Sequence, residues 1–504
     1  MRLAELLAHL DYTELSGCDE NLTVSSITND SRQVGPGTMF VALAGTKFDG
    51  HHFASKAVER GAACIVHEKA IEVPDGVCRV RVQDTRKAYP LLAALISGMP
   101  SERLRVIGVT GTNGKTSFTL LLDSILRAAG HSPAVLGTLG ARLPLGEGDD
   151  PLVFTGRGLT TPDAADLQAV IRRCADLGAT HLIMEASSHA IDQRRMDYVH
   201  FQGRVFTNLT QDHLDYHRTM EEYAEVKRGL FRRPEFGEPE YAVLNADNDF
   251  GRGLITELTY PVISYGLGKN ASLTARITKQ DLAGTIAEIF LQDEAKKPET
   301  LKAFQTEIKT PLIGRFNIYN ILAASGTAIM EGVGAEAVSE GVRALKLIPG
   351  RLQRVENKRG LNVFVDYAHT PDALTNVLTS LREVAGDAKI ICVFGCGGDR
   401  DNSKRPLMGR VVAMLADAMV ITNDNPRSED PMAIINDILS GIPSAGDQPP
   451  TIQPDRRLAI KAALEQAHEG DAVLIAGKGH EDYQVFAEHT DYFSDIEAAR
   501  ELLA

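Results

Sequence analysis

The sequence predicts an α/β protein of three domains, and three observations lead to this prediction. The chain has 504 residues, which is too long for one hydrophobic core and suggests about three domains. Apolar runs are repeatedly followed by glycine and polar residues and then by apolar residues at helical spacing, as expected where strands alternate with helices. This pattern starts afresh with the strand-like run "RVIGVTG" and again after Pro349-Gly350. We therefore expect domains at residues 1–102, 103–345 and 346–504.

Composition and charge narrow the class of protein. The net charge of −14 argues against wholesale binding to nucleic acid or to an anionic membrane. An anionic substrate would therefore need local arginine, lysine or a metal ion. No apolar run approaches the roughly 18 residues of a membrane span. The first residues, "MRLAELLAHLDYTEL", mix Glu5, His9 and Asp11 with apolar residues and predict an amphipathic helix instead of a signal peptide.

The cysteines are scattered along the chain, at Cys18, Cys64, Cys78, Cys174, Cys392 and Cys396. Only Cys392 and Cys396 are close in sequence, and they lie in the strand-like run "IICVFGC". We interpret all six as buried reduced thiols of a cytoplasmic protein, with a zinc site as the less favoured alternative.

In the first domain, "TMFVAL" and "ACIVHE" predict short strands. In the second, "RVIGVTG" predicts a strand, and the apolar residues from Phe118 to Leu126 keep helical spacing. The stretch "VTGTNGKTS" thus joins a strand to a helix, which is the position of a nucleotide-binding P-loop.

The glycine spacing of this loop is unusual. The pattern G-x-x-x-x-G-K-[ST] would need a glycine where this chain has Val109. Backbone N–H groups at the helix start can surround phosphate oxygens, Lys115 adds a positive charge and the Thr116 hydroxyl can bind magnesium. The alternative is an ordinary glycine-rich turn. The order G-K-T-S favours nucleotide binding, while the spacing leaves the family open.

Three later segments of this domain carry candidate groups. "THLIMEASSHAIDQRR" places Glu185 at the end of a strand, where it could bind magnesium or simply begin a helix. In "VFTNLTQDHLDYH", a second strand is followed by Asp212, His213, Asp215 and His217. One of the two histidines could bind a metal, although each histidine alone could equally be a solvated or core residue. Lys227 falls in the helical pattern "MEEYAEVKRGLF", where a surface lysine is the simplest interpretation.

The third domain has four apolar runs that each end in polar residues: "VFVDYAHTPDAL", "IICVFGCGGDRD", "AMVITNDNPRSEDP" and "AVLIAGKGHED". In a parallel sheet these ends would meet at one edge and form a common cleft. The residues brought there would be Asp366, His369, Arg400, Asn425, Arg427, Lys478 and Glu481. Arg400 and Arg427 suit carboxylate binding, because the planar guanidinium matches a carboxylate better than an ammonium does.

Seven stretches together resemble the Mur ligase family over nearly the whole chain: "TGTNGKTS", "TTPDA", "MEASSHA", "NLTQDHLDYH", "GRFNIYNILAA", "DYAHTPDAL" and "GKGHED". The family comprises ATP-dependent, amide-bond-forming enzymes of peptidoglycan precursor assembly. The segment "DNPR" is similar to that of the member that adds meso-2,6-diaminopimelate to UDP-N-acetylmuramoyl-L-alanyl-D-glutamate.

This resemblance implies a small N-terminal α/β domain that binds the UDP part of the substrate. It also implies a central P-loop ATPase-like domain with a mainly parallel sheet, and a C-terminal Rossmann-like domain that binds the amino acid. The implied partners are ATP as co-substrate, Mg²⁺, the UDP-linked peptide and diaminopimelate. The expected protein is a monomeric cytoplasmic enzyme of cell-wall biogenesis, and so of cell shape and division, that binds neither nucleic acid nor membranes.

The resemblance also implies roles for individual residues. ATP binding is expected of Thr110, Gly111, Thr112, Asn113, Gly114, Lys115, Thr116, Asn317 and Asn320. Binding of the UDP-linked substrate is expected of Asn29, Ser31, Thr46, Lys47, Phe48, Thr160, Thr161, Ser187, Gln193 and Arg195. Diaminopimelate binding is expected of Arg400, Asp424, Asn425, Pro426, Arg427, Gly477 and Glu481. Magnesium ligands are expected at Thr116, Glu185, His213 and Lys227, the last as a carbamate, and catalytic roles at Lys115, Lys227 and His213.

The implied reaction has two steps: the D-glutamyl carboxylate attacks the γ-phosphate of ATP, and the amine then displaces phosphate from the acyl phosphate. His369 is a candidate for the group that accepts the amine proton.

The nearest alternative is the same ligase acting on L-lysine, which Arg427 disfavours. A folylpolyglutamate synthetase-like ligase is disfavoured by the segments "NDSR" and "DNPR". A non-enzymatic P-loop protein would need none of Glu185, His213 and Lys227, so the presence of all three favours an enzyme.

Overall fold

The structure, a computed structural model, describes residues 1–19, 21–45, 48–143, 152–154, 160–292, 303–443 and 449–504. Thr46 and Lys47 therefore lie outside the described residues. The helices and strands within these ranges form three successive α/β units, each with its own sheet. No helix in the described part of the chain is long and apolar enough to cross a membrane.

The N-terminal unit is a five-stranded sheet with the order β1-β5-β4-β3-β2. Its elements are α1 (Leu3–Leu7), β1 (Tyr12–Ser16), β2 (Ser26–Thr28), β3 (Thr38–Val41), α2 (Ala54–Glu59), β4 (Cys64–His67), β5 (Arg79–Val82) and α3 (Thr85–Ile96). The strands predicted from "TMFVAL" and "ACIVHE" are β3 and β4. The N-terminal helix is shorter than predicted, because residues from Tyr12 onward form β1 and pair antiparallel with β5.

The prediction of six reduced thiols is wrong for two cysteines. Cys18 follows β1 and Cys78 precedes β5, and the pairing of these strands brings the two Cα atoms to 4.2 Å, with the sulfurs joined in a disulfide. Sequence separation concealed this pair, since its members are 60 positions apart. Cys64, Cys174, Cys392 and Cys396 are buried free thiols, as predicted.

The central unit has an 11-stranded sheet with the order β16-β15-β14-β13-β12-β11-β6-β10-β7-β8-β9. Its first elements are β6 (Arg105–Thr110), α4 (Lys115–Ala128), β7 (Pro133–Gly137), β8 (Gly140–Arg142), β9 (Leu152–Phe154), α5 (Ala164–Asp176), β10 (His181–Glu185), α6 (Ser188–Asp192), β11 (Gly203–Phe206), α7 (Leu214–His217) and α8 (Met220–Arg232). Its later elements are β12 (Tyr241–Asn245), α9 (Asp249–Glu257), β13 (Val262–Tyr265), β14 (Leu273–Asp281), β15 (Gly284–Leu291), β16 (Gln305–Thr310), α10 (Arg315–Met330) and α11 (Ala335–Ala344).

The middle of this sheet is parallel, from β14 through β6 to β7, as predicted. Strand β6 lies between β11 and β10, so the loop that follows β6 is flanked by the ends of both neighbours. Helices α4 and α10 pack on one face and bury Phe118, Leu121 and Ile321. The arrangement holds the start of α4 at the carboxyl edge of the sheet.

The C-terminal unit has a six-stranded sheet with the order β17-β18-β22-β19-β20-β21, and a separate hairpin of β23 and β24. Its elements are β17 (Gln353–Val355), β18 (Asn362–Asp366), α12 (Pro371–Ala385), β19 (Ile390–Phe394), α13 (Lys404–Leu415), β20 (Ala418–Ile421), α14 (Pro431–Leu439), β21 (Thr451–Ile452), α15 (Arg456–Gln466), β22 (Ala472–Ala476), β23 (Tyr483–Val485), β24 (Thr490–Tyr492) and α16 (Asp495–Leu503). The four apolar runs form β18, β19, β20 and β22, and these strands are parallel neighbours in the sheet, as predicted.

A buried ion cluster closes the opposite edge of the central sheet, where its parallel strands begin. Glu331, at the end of α10, has a side chain that is 2% exposed and accepts hydrogen bonds from Arg105 Nε (2.5 Å) and Tyr241 Oη (2.6 Å). His181 Nε2 lies 3.4 Å from the same carboxylate. Burial alone would raise the pKa of Glu331, but the bonds from His181, Arg105 and Tyr241 outweigh it and lower that pKa to about 2.

We expect Glu331→Gln to lower the free energy of unfolding by about 3 kcal/mol at pH 7, because it removes the buried carboxylate whose hydrogen bonds lower its own pKa from 4.5 to about 2. A carboxylate with a lowered pKa stabilises the fold above the pKa of the unfolded chain and loses that contribution as the pH falls through the folded pKa. The difference between variant and wild type should therefore shrink between about pH 5 and pH 2. Urea denaturation at several pH values measures this difference.

The matched control is Glu257→Gln, since Glu257 also pairs with two arginines, Arg228 and Arg232, but at the surface. We expect a loss below about 1 kcal/mol there. Equal losses for the two variants would contradict a special role for the buried cluster.

Candidate active site

The loop after β6 explains the unusual glycine spacing. Val109 pairs with Glu185 and Val205 inside the sheet, so the turn can begin only after Thr110. A Cβ on Gly111 (φ +154°) would lie 1.9 Å from Thr207 Oγ1, and one on Gly114 (φ +90°) would lie 2.4 Å from Asn320 Oδ1. Only glycine fits at these two positions, because the strand end and α10 approach the loop so closely.

Two lysines, Lys115 (half-buried) and Lys227 (buried), share one acceptor in this loop. Lys115 Nζ donates to the Gly111 and Thr112 carbonyls at 2.8 and 2.9 Å, and Lys227 Nζ donates to the same Gly111 oxygen at 2.9 Å. Burial lowers the pKa of both lysines, and the nearby Lys115 charge lowers that of Lys227 further. The prediction of a surface lysine at 227 is wrong: α8 turns this residue inward, and it is 1% exposed.

Glu185 lies at the end of β10, as predicted, and is 1% exposed. Its carboxylate accepts hydrogen bonds from Thr116 Oγ1 (2.9 Å) and from the backbone and hydroxyl of Thr138 (both 3.0 Å). A buried carboxylate beside the threonine that follows the loop lysine is a suitable oxygen donor for a divalent cation.

A cavity of about 550 Å³ opens beside the loop and is lined by both the central and the C-terminal units. Asn113, Gly114 and Asn320 line it, whereas Asn317 does not. Asn317 Nδ2 donates to the Ile313 carbonyl at 2.8 Å, and its Oδ1 has no hydrogen-bond partner among the described residues.

The C-terminal unit contacts the loop directly. Asp372, in the first turn of α12, accepts hydrogen bonds from Asn113 Nδ2 (3.2 Å) and Thr210 Oγ1 (3.1 Å). Asp366 lines this same cavity, and its carboxylate accepts from the Leu352 and Ala368 amides. The carboxyl end of β18 thus places Asp366 beside the loop that follows β6. A cleft shared with the loops that carry Arg400 and Arg427 stays a prediction.

A second cavity of about 830 Å³ lies between the N-terminal and central units. Of the residues expected to bind the UDP-linked substrate, Asn29, Ser31, Phe48, Gln193 and Arg195 line it. Sequence reasoning missed most of its basic lining, which comprises Arg32, Lys56, Arg60, Arg86 and Arg194 in addition to Arg195. These residues are scattered through both units, and although Arg32 and Arg194 lie in the quoted segments "NDSR" and "THLIMEASSHAIDQRR", the six share no common motif. They provide the local positive charge that an anionic substrate needs in a chain with net charge −14.

Three other residues expected to bind the UDP-linked substrate, Thr160, Thr161 and Ser187, lie behind the residues that line this cavity. Thr161 Oγ1 donates to the Glu185 carbonyl at 2.9 Å and lies 3.1 Å from Ser187 Oγ. Arg195 Nη1 donates to the Thr161 carbonyl at 3.1 Å. Thr160 Oγ1 accepts from Thr138 Oγ1 at 3.4 Å, so this chain of contacts links the cavity to Glu185.

Two loops at the carboxyl edge of the C-terminal sheet carry the predicted carboxylate-binding arginines. The loops are joined by hydrogen bonds from Gly398 N to the Asn425 carbonyl (2.9 Å) and from Ser428 Oγ to Asp399 (2.7 Å). Arg427 has φ +52° and donates to the Gly398 carbonyl at 2.8 Å. A non-glycine residue in the left-handed region is a strained conformation that occurs often at functional sites. Arg400, on the other loop, is exposed and donates to the Asp399 carbonyl at 3.1 Å.

Beside Arg427, a polar network orients Glu481. Asn425 Nδ2 donates to Glu481 Oε2 at 3.1 Å, while Asn425 Oδ1 accepts from Lys478 Nζ (3.2 Å) and Val485 N (3.0 Å). Gly477 has φ +120°, and a Cβ there would lie 2.4 Å from Asp424 Oδ2. Arginines and carboxylates thus adjoin on neighbouring loops, an arrangement that suits a ligand with both carboxylate and ammonium groups.

Profiles of three Mur ligase domains match the chain. These are the Mur ligase family catalytic domain over residues 23–107, the Mur ligase middle domain over 109–328 and the Mur ligase glutamate ligase domain over 350–479. Two relatives are the UDP-N-acetylmuramoyl-L-alanyl-D-glutamate–2,6-diaminopimelate ligases of Syntrophomonas wolfei and Solibacter usitatus. They are 40% and 41% identical over 100% and 95% of this chain, and over 99% and 93% of their own lengths. The chain belongs to the Mur ligase family.

A solved structure of a ligase with the same name as these relatives has a TM-score of 0.68 and 32% identity, covering 100% of this chain and 98% of the other. Mur ligases are ATP-dependent enzymes that form amide bonds, so this Mur ligase is an ATP-using enzyme. The predicted α/β architecture of three domains is confirmed.

The residues expected to bind magnesium in this Mur ligase lie around the phosphate loop. Thr116 and Glu185 are in contact, and His213, the residue before α7, has its Nε2 3.5 Å from Asp212. Partial desolvation of this half-exposed ring lowers the pKa of His213, outweighs the opposing charge of Asp212 and favours the neutral, metal-binding form. Within the described ranges, no group of three or more histidine, cysteine or acidic residues is arranged to hold a metal. An ion here would therefore need oxygens from a bound nucleotide or water.

Proposed function

We propose that this Mur ligase adds meso-2,6-diaminopimelate to the D-glutamate of UDP-N-acetylmuramoyl-L-alanyl-D-glutamate at the expense of ATP. The observation that carries the proposal is the arginine and carboxylate surface formed by Arg427, Arg400 and Glu481 on adjacent loops. Diaminopimelate has two amino-acid ends, so its far end offers both a carboxylate and an ammonium group to such a surface. The names of the full-length relatives support the same substrate.

In this proposal each unit binds one substrate, with domains at residues 1–102, 103–345 and 346–504. The cavity with six basic side chains takes the UDP-linked peptide, and the cavity beside the phosphate loop takes ATP. Thr116 and Glu185, with His213 and a carbamate on Lys227, would hold Mg²⁺. Bound magnesium would offset the charge on the phosphates.

The chemistry follows from the poor reactivity of a free carboxylate toward amines. The D-glutamyl carboxylate oxygen attacks the γ-phosphorus of ATP, the bond to the bridging oxygen breaks and ADP leaves. Lys115 and the loop amides offset the negative charge that accumulates when two anions meet. The amine then attacks the acyl carbon, the bond from that carbon to the phosphate oxygen breaks, phosphate leaves and the amine loses a proton.

His369 remains our candidate for the proton acceptor. Its Nδ1 lies 2.7 Å from the Tyr367 carbonyl, which fixes the ring, and burial lowers its pKa and so favours the neutral form that can accept a proton.

The reaction consumes ATP and a UDP-linked precursor. We therefore place the enzyme in the cytoplasm and its reaction in cell-wall biogenesis, and hence in the processes of cell shape and division. We propose that the enzyme acts as a monomer.

Lys227 is suited to carbamylation because burial lowers its pKa and so favours the neutral, nucleophilic amine. We expect removal of CO₂ and bicarbonate from the assay to reduce activity, and Lys227→Ala to reduce kcat by about 100-fold or more. Acetate or a similar small carboxylate should partly restore the activity of Lys227→Ala, since it can replace the missing carboxylate-like group. The readout is phosphate release, with a Lys269→Ala variant, altered in a surface loop, as control. Full activity of Lys227→Ala without added carboxylate would contradict the carbamate.

The proposed function is tested by phosphate release with ATP, Mg²⁺ and UDP-N-acetylmuramoyl-L-alanyl-D-glutamate. Three reactions are compared: meso-diaminopimelate, L-lysine and no amine. We expect rapid release only with diaminopimelate. Release that does not depend on an amine would reject the ligase, and preference for L-lysine would assign the alternative substrate.

A further inference from the structure

Arg456 is a fully buried arginine beneath the amino-acid loops. It is the first residue of α15, and its side chain is 0% exposed. Its guanidinium forms a two-point pair with Asp495, the first residue of α16: Nε donates to Oδ1 and Nη2 to Oδ2, both at 2.7 Å. Asp495 is also 0% exposed, so the pair is entirely removed from water.

The remaining donors of Arg456 reach two strand ends. Nη1 donates to the Asn423 carbonyl at 3.1 Å, and Nη2 donates to the Ala476 carbonyl at 3.0 Å. Asn423 directly precedes the segment 424–427, and Ala476 directly precedes Gly477. One planar group therefore connects the roots of the two loops that carry Asp424 and Glu481.

The space between these loops is tight. A Cβ on Gly477 would lie 2.4 Å from Asp424 Oδ2 and 3.7 Å from Arg456 Nη2. A change in the distance between Asn423 and Ala476 would therefore move Asp424 against Gly477. Neither Arg456 nor Asp495 reaches the ligand-facing groups of Arg427 or Glu481 in the described contacts.

Burial of a charged pair is a poor way to gain stability, because desolvation offsets most of the attraction and a well-packed apolar pair is often as stable. A planar guanidinium does, however, fix the relative positions of the groups it contacts, since its donors point in set directions. The Arg456–Asp495 pair is thus better explained by the positions in which it holds Asn423 and Ala476 than by a gain in folding stability.

We propose that Arg456, oriented by Asp495, is a positioning residue that sets the spacing of the two amino-acid loops and thereby the affinity and selectivity for the amine substrate. The identity of that substrate rests on the proposed function. The spacing role itself concerns whichever amino acid these loops bind.

The test uses the full-length Arg456→Lys and Asp495→Asn variants. Lysine keeps the charge but has no planar fork, and asparagine keeps the shape of Asp495 but weakens the pair. We expect the KM for diaminopimelate to rise about 10- to 100-fold in both variants, while the KM for ATP changes less than about twofold. The ratio of kcat/KM for diaminopimelate to that for L-lysine should fall. Neither a KM nor a ratio of two kcat/KM values depends on the fraction of protein that is folded, so partial unfolding of a variant would not change them.

The matched control is Arg204→Lys, because Arg204 is also buried (1% exposed) and donates to the carbonyls of Phe201, Phe236 and Gly237 in the central unit. It should lower the thermal midpoint without changing either KM. An unchanged KM for diaminopimelate in Arg456→Lys and Asp495→Asn, or an equal rise in both KM values, would overturn the proposal. If wild type uses a different amine, the proposed function fails, and the same variants measured with that amine still decide the spacing role.

Discussion

Lys115→Ala is expected to lower kcat by about a thousandfold, because it removes the buried positive charge nearest the phosphates. Lys115 Nζ donates to the loop carbonyls of Gly111 and Thr112, and burial lowers its pKa. The folded chain without nucleotide therefore accommodates this charge at a cost, because the ammonium is withdrawn from water and bonded to neutral carbonyl oxygens. A bound phosphate would relieve that cost.

We expect opposite effects of Lys115→Ala on stability and on activity. Without nucleotide, the thermal midpoint of Lys115→Ala should equal or exceed that of wild type, because the substitution removes the cost of withdrawing the Lys115 charge from water. The increase of the midpoint on adding ATP and Mg²⁺ should be largely lost. Phosphate release and thermal shift measure the two effects.

The control is Thr119→Val, on the same face of α4, because Thr119 is 1% exposed and its hydroxyl donates to the Thr116 carbonyl at 2.9 Å. It should keep the ATP-dependent shift and activity within about threefold of wild type, since one neutral hydrogen bond contributes about 1 kcal/mol. Retention of more than a tenth of wild-type kcat in Lys115→Ala would contradict the proposed role of this residue.

Arg427→Ala is expected to lower kcat/KM for diaminopimelate by about 10⁴-fold, because a site built to pair with a substrate carboxylate discriminates strongly once that pairing is lost. The KM for ATP should change little, since Arg427 lies on a loop of the C-terminal sheet and does not line the nucleotide cavity. Activity with L-lysine, already low, should change less than activity with diaminopimelate. Arg427→Lys should be intermediate, because it keeps the charge but loses the planar fork.

Arg382→Ala is the control for removing an arginine from the same unit. Arg382 pairs with Asp417, which precedes β20 at the opposite edge of the sheet. It should leave both kinetic constants near wild type, because exposed ion pairs contribute little. Equal kinetics for Arg427→Ala and wild type would remove Arg427 from the substrate site.

The sequence alone was sufficient to predict the α/β class, the phosphate loop before α4 and the position of Glu185 at a strand end. These features depend on local order along the chain, namely apolar period, glycine placement and the residues after each strand. The residues of the loops around Arg400, Arg427 and Glu481 were also predicted, because the carboxyl ends of parallel strands meet at one edge.

The tertiary structure was needed wherever the outcome depended on which residues, distant in sequence, share a buried space. Lys227 has the helical context of a surface lysine, yet the packing of α8 buries it against the Gly111 carbonyl. The Cys18–Cys78 pair, the basic lining of the larger cavity and the cluster around Glu331 likewise join segments that carry no shared motif. Local order along the chain sets the chemistry of each strand end. Packing selects which of these groups lose water and which charges face one another, because desolvation and charge proximity depend on contacts in three dimensions.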